Sequence, residues 1–288
     1  MSTIRHLSAE DVKNLMPSMQ EVIDLVEEVL RQIGDGSARD DMNMAASTDE
    51  DTPSIQLNDA ETGSSRAVMD ASHITTARAG ACTAITARQL ADPNSEVLTI
   101  IGCGIQGKAN LEALLAVFPG TERMLCYDSD VQRQEAFADE MMTTFDLASI
   151  IPPEPQEAVE GAQILVTATS DPSAPKPFIE PDWIQEGTLC VALDFDTAFT
   201  KEAFTAASRL VADDIGQYET CRAEGHFADG RVPDADLPSI LSGKAPARGD
   251  DNPTVLAVHL GMEALDVALA THILDRAERE GCGTELPA

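Results

Sequence analysis

The sequence predicts an α/β protein with a Rossmann-type, doubly wound parallel sheet and a discontinuous second unit, and three observations carry that reading. From Glu96 onward, apolar runs of strand length alternate with helical stretches. A glycine triplet, G-x-G-x-x-G, follows the first of those runs and opens the helix after it. Amphipathic and small-residue segments on both sides of this block have no place in such a sheet, so they form an α+β substrate or dimerisation unit.

The elements follow in order. In "LSAEDVKNLMPSMQEVIDLVEEVLRQIGDG", Ser8 is placed as an N-cap with Asp11 three residues on. The helix that follows carries Val22, Leu25, Val26, Val29, Leu30 and Ile33 on one face and stops at Gly34 and Gly36. Residues 37–53, "SARDDMNMAASTDEDTP", hold Asp40, Asp41, Asp49, Glu50 and Asp51 against the single Arg39, and by composition read as a solvated linker. "SIQLNDAETGSSRAVMD" reads as a hairpin with Gly63 in its turn. "ASHITTARAGACTAITARQLA" is helical, lined with small residues and closed by Asp92-Pro93.

In the α/β block, "VLTIIG", "RMLCYD", "AQILVTAT", "TLCVALDFD" and "RLVADD" are strands, while "IQGKANLEALLAVF", "VQRQEAFADEMMTTF" and "KEAFTAAS" are helices. The closing "NPTVLAVHLGMEALDVALATHILDRAEREG" reads as one long helix, with Gly281 and Gly283 as stop signals, that returns to the N-terminal part. The expected organisation is therefore residues 1–92 as the first part of the substrate unit, 93–250 as the dinucleotide-binding domain, and 251–288 as the returning helix.

Composition bounds the partners. With 288 residues, 43% of them hydrophobic, the chain can bury its own core. It holds 50 acidic against 19 basic residues, a formal charge of −31, and Lys13, Lys108, Lys176, Lys201 and Lys244 are its lysines. Such a field repels phosphate backbones and anionic lipid, so nucleic acid and membrane surfaces are excluded as partners. It is tolerable where salt screens it, the Debye length being about 3 Å near 1 M. A salt-adapted (halophilic) cytoplasmic protein is expected. Cys82, Cys103, Cys126, Cys190, Cys221 and Cys282 stand singly, without metal-ligand spacing. The opening "MSTIRHLSAEDV" shows no apolar h-region and no run of 18 apolar residues occurs, so neither secretion nor membrane spanning is expected.

The chemistry starts at "VLTIIGCGIQG". Gly102 permits the tight turn, Gly104 lets backbone approach a pyrophosphate, and Gly107 lets helix and strand pack closely. Asp128 ends the next strand, where a carboxylate grips ribose hydroxyls and disfavours a 2′-phosphate, so NAD is expected over NADP. "CVALDFD" places Asp194 and Asp196 at a strand's carboxyl end, the ligand-facing edge of an open α/β sheet. One of the two is expected to reach the site, the other reading being a loop cap. Arg78 lies among Thr and Ala on a helix, which leaves its guanidinium fork free either for a carboxylate or for solvent.

Together with "LSAEDVKNLMPSMQEVIDLVEEVL", "NDAETGSSRAVMDASHITTARAGA", "IIGCGIQGKANLEAL", "PKPFIEPDWIQEGTLCVALDFD" and "GCGTELP", these motifs resemble the ornithine cyclodeaminase / mu-crystallin family over nearly the whole chain. The resemblance implies an NAD(P)-binding Rossmann domain, a split substrate domain that also forms a homodimer, and hydride exchange at the α-carbon of a small amino or imino acid. In a cyclodeaminase this proceeds with loss of ammonia and ring closure, whereas relatives work as amino-acid dehydrogenases or ketimine reductases. It further implies Arg78 as the carboxylate-binding arginine and Asp196 as the catalytic aspartate. Gly102, Gly104, Ile105, Gln106, Gly107 and Asp128 then form the dinucleotide site, with Thr167, Ala168 and Thr169 along the cofactor.

One departure bears on activity. The family places several strands, a Pro-Arg or Pro-Lys segment and a Gly-x-Lys lysine between the first long helix and the hairpin. Here residues 37–57 fill that interval and no lysine occurs between Lys13 and Lys108. Losing such a charge costs about 3 kcal/mol of transition-state stabilisation. A catalytically impaired member that binds NAD without turnover is therefore the alternative, unless Arg39, Arg66 or a dimer mate supplies the charge. A Rossmann dehydrogenase of another lineage would need a catalytic His or a Tyr-Lys pair. His6, His73, His226, His259 and His272 are all read as lying away from strand ends of the block.

Overall fold

The computed structural model describes residues 3–37, 42–47, 53–169, 176–227, 230–248 and 252–287. In the first unit, β1 (Thr3–Leu7) leads into α1 (Ala9–Leu15) and α2 (Met19–Asp35). The sequence suggested one helix here, but Pro17 ends the first and Ser18 starts the second. Both Ser8 with Asp11 and Ser18 with Glu21 form capping boxes, each side chain bonding the other residue's backbone N–H. The apolar face of α2 is buried at Val22, Ile23, Val26 and Leu30, each worth about 1.5–3 kcal/mol.

β2 (Met42–Ser47), β3 (Ser54–Asp59) and β4 (Ser65–Asp70) follow, then α3 (Ser72–Leu90). β3 and β4 are the expected hairpin, with Gly63 at φ +67° in its turn. Part of the run expected to be a linker is a strand: β2 pairs antiparallel with β3 from Met42↔Asp59 to Ser47↔Ser54. Residues 38–41 and 48–52, including Arg39 and the acidic residues of the run, lie outside the described residues. The sheet order is β13-β1-β4-β3-β2, where β13 (Thr284–Pro287) is the last strand of the chain and pairs with β1.

The second sheet takes β5 (Val97–Ile101), β6 (Arg123–Tyr127), β7 (Ala148–Ile150), β8 (Ile164–Thr167), β9 (Leu189–Ala192), β10 (Arg209–Ala212), β11 (Ala235–Asp236) and β12 (Val255–Val258). All its pairings are parallel, in the order β11-β10-β12-β9-β8-β5-β6-β7. Between them run α4 (Ile105–Val117), α5 (Val131–Phe145), α6 (Pro155–Glu160), α7 (Lys201–Ala206), α8 (Ile215–Ala223) and α9 (Leu237–Leu241), and α10 (Glu263–Glu280) follows β12. From β5 the chain winds outward through β6 and β7, then crosses back to β8 beside β5. That switch opens a crevice above the carboxyl ends of β5 and β8.

The segment opening "NPTVLAVHL" is thus a strand before it is a helix: β12 lies between β10 and β9, beyond the boundary expected at residue 250. A continuous apolar run is ambiguous between strand and helix, and β-branched Val255 and Val258 decide for the strand. α10, with β13 after it, returns to the first unit, where Leu265, Leu269, Ile273 and Leu274 share a core with Leu7, Val22 and Ile74. The small residues of α3 serve a close helix contact. A Cβ on Gly80 would lie 2.7 Å from the Ala109 carbonyl oxygen on α4. Through that contact α3 ties the two units together.

Candidate active site: two clefts on one wall

The loop between β5 and α4 is built by its glycines. Gly102 sits at φ +100°, and a Cβ there would meet the Ala168 carbonyl oxygen at 2.4 Å. A Cβ on Gly107 would meet the Gly102 oxygen at 2.3 Å, so any side chain would push the helix off the loop. Gly104 is exposed, with nothing within 4 Å of where its Cβ would be. The loop is therefore closed toward the sheet and open toward the crevice, as a pyrophosphate approaching the first turn of α4 requires. Asp128 directly follows β6 and is 8% exposed. Its Oδ2 accepts from the Cys103 N–H at 2.8 Å and its Oδ1 from the Asp130 N–H at 2.9 Å, which ties the loop to the neighbouring strand. Arg133 stands 3.8 Å from the same carboxylate.

Gly102, Gly104, Asp128, Ala168 and Thr169 line one cleft of ≈ 430 Å³. This is ample for a nucleoside-sized ligand. Ala168 and Thr169 also line a second cleft of ≈ 290 Å³ with Gln106, Arg78, Asp213 and His259. The Oε1 of Gln106 is buried there without a hydrogen-bond partner among the described residues. A loop shaped by its glycines and an orphaned amide facing the continuation of the crevice both fit a dinucleotide. Ile105, expected with these residues, is 62% exposed and borders a separate depression with Lys13 and Met16. Thr167 is fully buried behind the wall.

In the second cleft, Arg78 donates from Nε to Asp266 Oδ1 at 2.9 Å, and its side chain is 13% exposed. Its terminal nitrogens lie over Gly261, which has φ +92° and where a Cβ would come within 2.8 Å of Nη2. Asp213 follows the end of β10 and is 1% exposed. Its Oδ2 accepts from the N–H groups of Leu260 at 2.9 Å and Gly261 at 2.8 Å, and its Oδ1 from the Asp214 N–H at 3.0 Å. Burial pushes its pKa above the usual carboxylate range, against those hydrogen bonds and the Arg78 charge, which pull it down. His259 is also buried. Its Nε2 lies 3.0 Å from Thr86 Oγ1, and desolvation, then the Arg78 charge, pulls its pKa down to about 3.

Asp196, expected to act here, does not line this cleft. β9 ends at Ala192 and the chain turns through Phe195 at φ +58°, so the alternation that would keep residues 194 and 196 on one face stops. Asp196 instead accepts from the Phe227 N–H at 2.9 Å, lies 3.2 Å from His226 Nδ1, and borders another pocket with Phe199 and Phe204. Besides Asp266, bonded to the Arg78 guanidinium, the carboxylate that lines the cleft with Arg78 is Asp213, which sequence reasoning passed over although "RLVADD" ends a strand as "CVALDFD" does. His259, read as lying away from strand ends, follows β12 directly.

Comparison with known proteins agrees with this architecture. The profile of the ornithine cyclodeaminase/mu-crystallin family matches residues 37–281. The chain belongs to that family. Among its relatives is the N-((2S)-2-amino-2-carboxyethyl)-L-glutamate dehydrogenase of Staphylococcus aureus, 32% identical over 240 residues, which cover 81% of this chain and 70% of that one. The alanine dehydrogenase of Archaeoglobus fulgidus is 30% identical over 239 residues, 80% of this chain and 72% of the other. The Delta(1)-pyrroline-2-carboxylate reductase of Thermococcus litoralis, solved in complex with NADH and L-proline, superposes with a TM-score of 0.83 at 25% identity. That match covers 98% of this chain and 100% of the other. Among the described residues, no helix of this family member is long and apolar enough to cross a membrane.

Proposed function

We propose that the protein is an NAD-dependent oxidoreductase acting at the α-carbon of a small amino or imino monocarboxylic acid. The observation that carries this reading is the placing of Arg78 and Asp213 in one cleft, on the wall that the glycine-loop cleft shares. A bound NAD supplies a hydride acceptor or donor there. The terminal nitrogens of Arg78 hold the substrate carboxylate, with Asp266 fixing the guanidinium from its Nε side. Asp213 takes the proton that leaves the substrate nitrogen, or returns it, and burial, by raising its pKa, makes the carboxylate readier to hold that proton. His259, neutral and held by threonines, adds no charge. Deamination and ring closure would require a second amine on the substrate, and ornithine and lysine are the test compounds for that branch. Asp128 favours NAD over NADP. Kinship with the family supports a homodimer, and the charge of −31 supports salt adaptation.

The absence of any lysine between Lys13 and Lys108 favours a second reading, a family member that binds NAD without turning over. One experiment separates the two. The protein is incubated with NAD and a panel of α-amino acids, or with NADH and cyclic or acyclic imino acids, while the absorbance of the reduced cofactor is followed. The oxidoreductase reading requires a substrate-dependent change. A flat trace across the panel, with NAD still raising Tm, establishes the second reading, and a flat trace without any Tm change refutes both.

A further inference from the structure

Asp194 is a buried carboxylate that the proposed chemistry does not use. It is 8% exposed, and among the described residues it makes no ion pair. Its partners are donors on the wall shared by the two clefts. Oδ1 accepts from the Thr167 hydroxyl at 2.7 Å, and Oδ2 accepts from the Thr169 N–H at 3.0 Å and from the Thr169 hydroxyl. Both oxygens are thus acceptors, the arrangement that an ionised carboxylate satisfies. Thr169 and Ala168 line both clefts, and Leu193, next in the chain to Asp194, lines the second. The carboxylate therefore stands directly behind the segment along which the proposed dinucleotide would pass from one cleft to the other.

Of the cations lining the first cleft, Arg133 faces Asp128 and Asp130, and among the described residues neither it nor Lys176 makes an ion pair with Asp194. The charges of the second cleft do not cancel it either. Arg78 is paired with Asp266, and Asp213 adds a further carboxylate. A buried charge without a counter-ion favours any ligand that brings the missing sign. The two forms of the cofactor differ in that respect: the oxidised nicotinamide ring is a cation and the dihydronicotinamide ring is neutral.

We propose that Asp194 makes the protein selective for the oxidised form of the nicotinamide cofactor, by presenting a carboxylate without an ion-pair partner behind Ala168 and Thr169. The inference rests on the dinucleotide reading of the clefts. It has a directional consequence. When a hydride leaves the reduced ring for the carbon of a protonated imine, carrying both electrons, the ring becomes the cation that Asp194 favours and the imine becomes an amine. The bound equilibrium is therefore drawn toward reduction of the imino acid.

The test is calorimetric titration of the purified protein with NAD+, NADH and ADP-ribose, the last lacking the ring altogether, on wild type and on Asp194→Asn. Wild type is expected to hold NAD+ more tightly than NADH. D194N is expected to shift that ratio toward NADH by about fivefold to tenfold, the scale of one unit charge acting across several ångströms of protein, while ADP-ribose binding stays within about twofold. A wild type that prefers NADH overturns the proposal, and this holds even if D194N does not fold. A variant that weakens all three ligands equally also overturns it, because Asp194 would then only brace the wall. If none of the three binds wild type, the dinucleotide reading fails along with it. Binding with a ratio indifferent to residue 194 removes this inference alone.

Discussion

At the scale of single residues, Asp213 and Asp196 differ in what surrounds them rather than in their position at a strand end. Asp213 is almost wholly buried beside an arginine, whereas Asp196 is held in a loop by His226 and Phe227. Asp213→Asn is expected to lower kcat by about 10²- to 10⁴-fold while NAD+ affinity stays within about twofold, and Asp196→Asn to leave kcat within about threefold. Steady-state kinetics and titration on both variants check this, and equal losses in the two would return the role to Asp196. His259 gives a pH signature. Its folded pKa of about 3 lies below the ordinary 6.5, so between those values the unfolded chain binds the extra proton. Its contribution is complete above pH 6.5 and is lost as pH falls toward 3, on the order of a few kcal/mol. Asp194 and Asp213, with raised pKa values, act in the opposite sense, their contribution falling as pH rises from 3.8. Urea unfolding at pH 7.5 and pH 5 should therefore show a smaller difference for His259→Gln than for wild type, and an unchanged difference counts against burial as the cause. Arg78 and the glycines were legible from residue type and spacing. Asp213 was missed because the rule about strand ends was applied to one strand and not to its neighbour, and His259 and Asp266 because their segment was read as a single helix.

At the scale of elements, the glycine loop separates folding from binding. Gly107→Ala drives a methyl group into the Gly102 carbonyl, and backbone cannot yield cheaply, so about 1–3 kcal/mol of stability is lost together with NAD binding. Gly104→Ala meets nothing within the protein and should keep its Tm while weakening NAD binding, because the methyl group fills the approach to the loop. Thermal unfolding with and without NAD distinguishes these outcomes, and a G104A protein that binds NAD normally would show that the pyrophosphate does not pass there. Most strands of the parallel sheet were readable as apolar runs, although β12 was read as helix, and β2 of the first sheet as linker. β7 and β11 were not, because three and two residues carry no pattern, and β1 and β13 were not, because their order comes from partners far along the chain, as when Ile4 faces Leu286. The division of the first helical stretch at Pro17 was readable in principle, since Ser18 and Glu21 repeat the Ser8 and Asp11 signal.

At the scale of the whole molecule, a charge of −31 opposes compaction, and salt relieves it. Tm is expected to rise between about 0.1 M and 2 M KCl, as the Debye length falls from about 10 Å to under 3 Å. Calorimetry across that range tests the point, and a Tm that is flat or falls would refute salt adaptation. The first sheet closes across the interval between the first long helix and the hairpin, where the resemblance places further strands. The pairing of Ser47 with Ser54 brings the two ends of that junction side by side at the edge of a finished sheet. An insertion there begins and ends at one point, and each doubling of its length adds only about 0.6 kcal/mol of closure entropy. The junction is thus a socket: because its two ends already meet across a finished pair of strands, its length can change at little cost to the sheet around it.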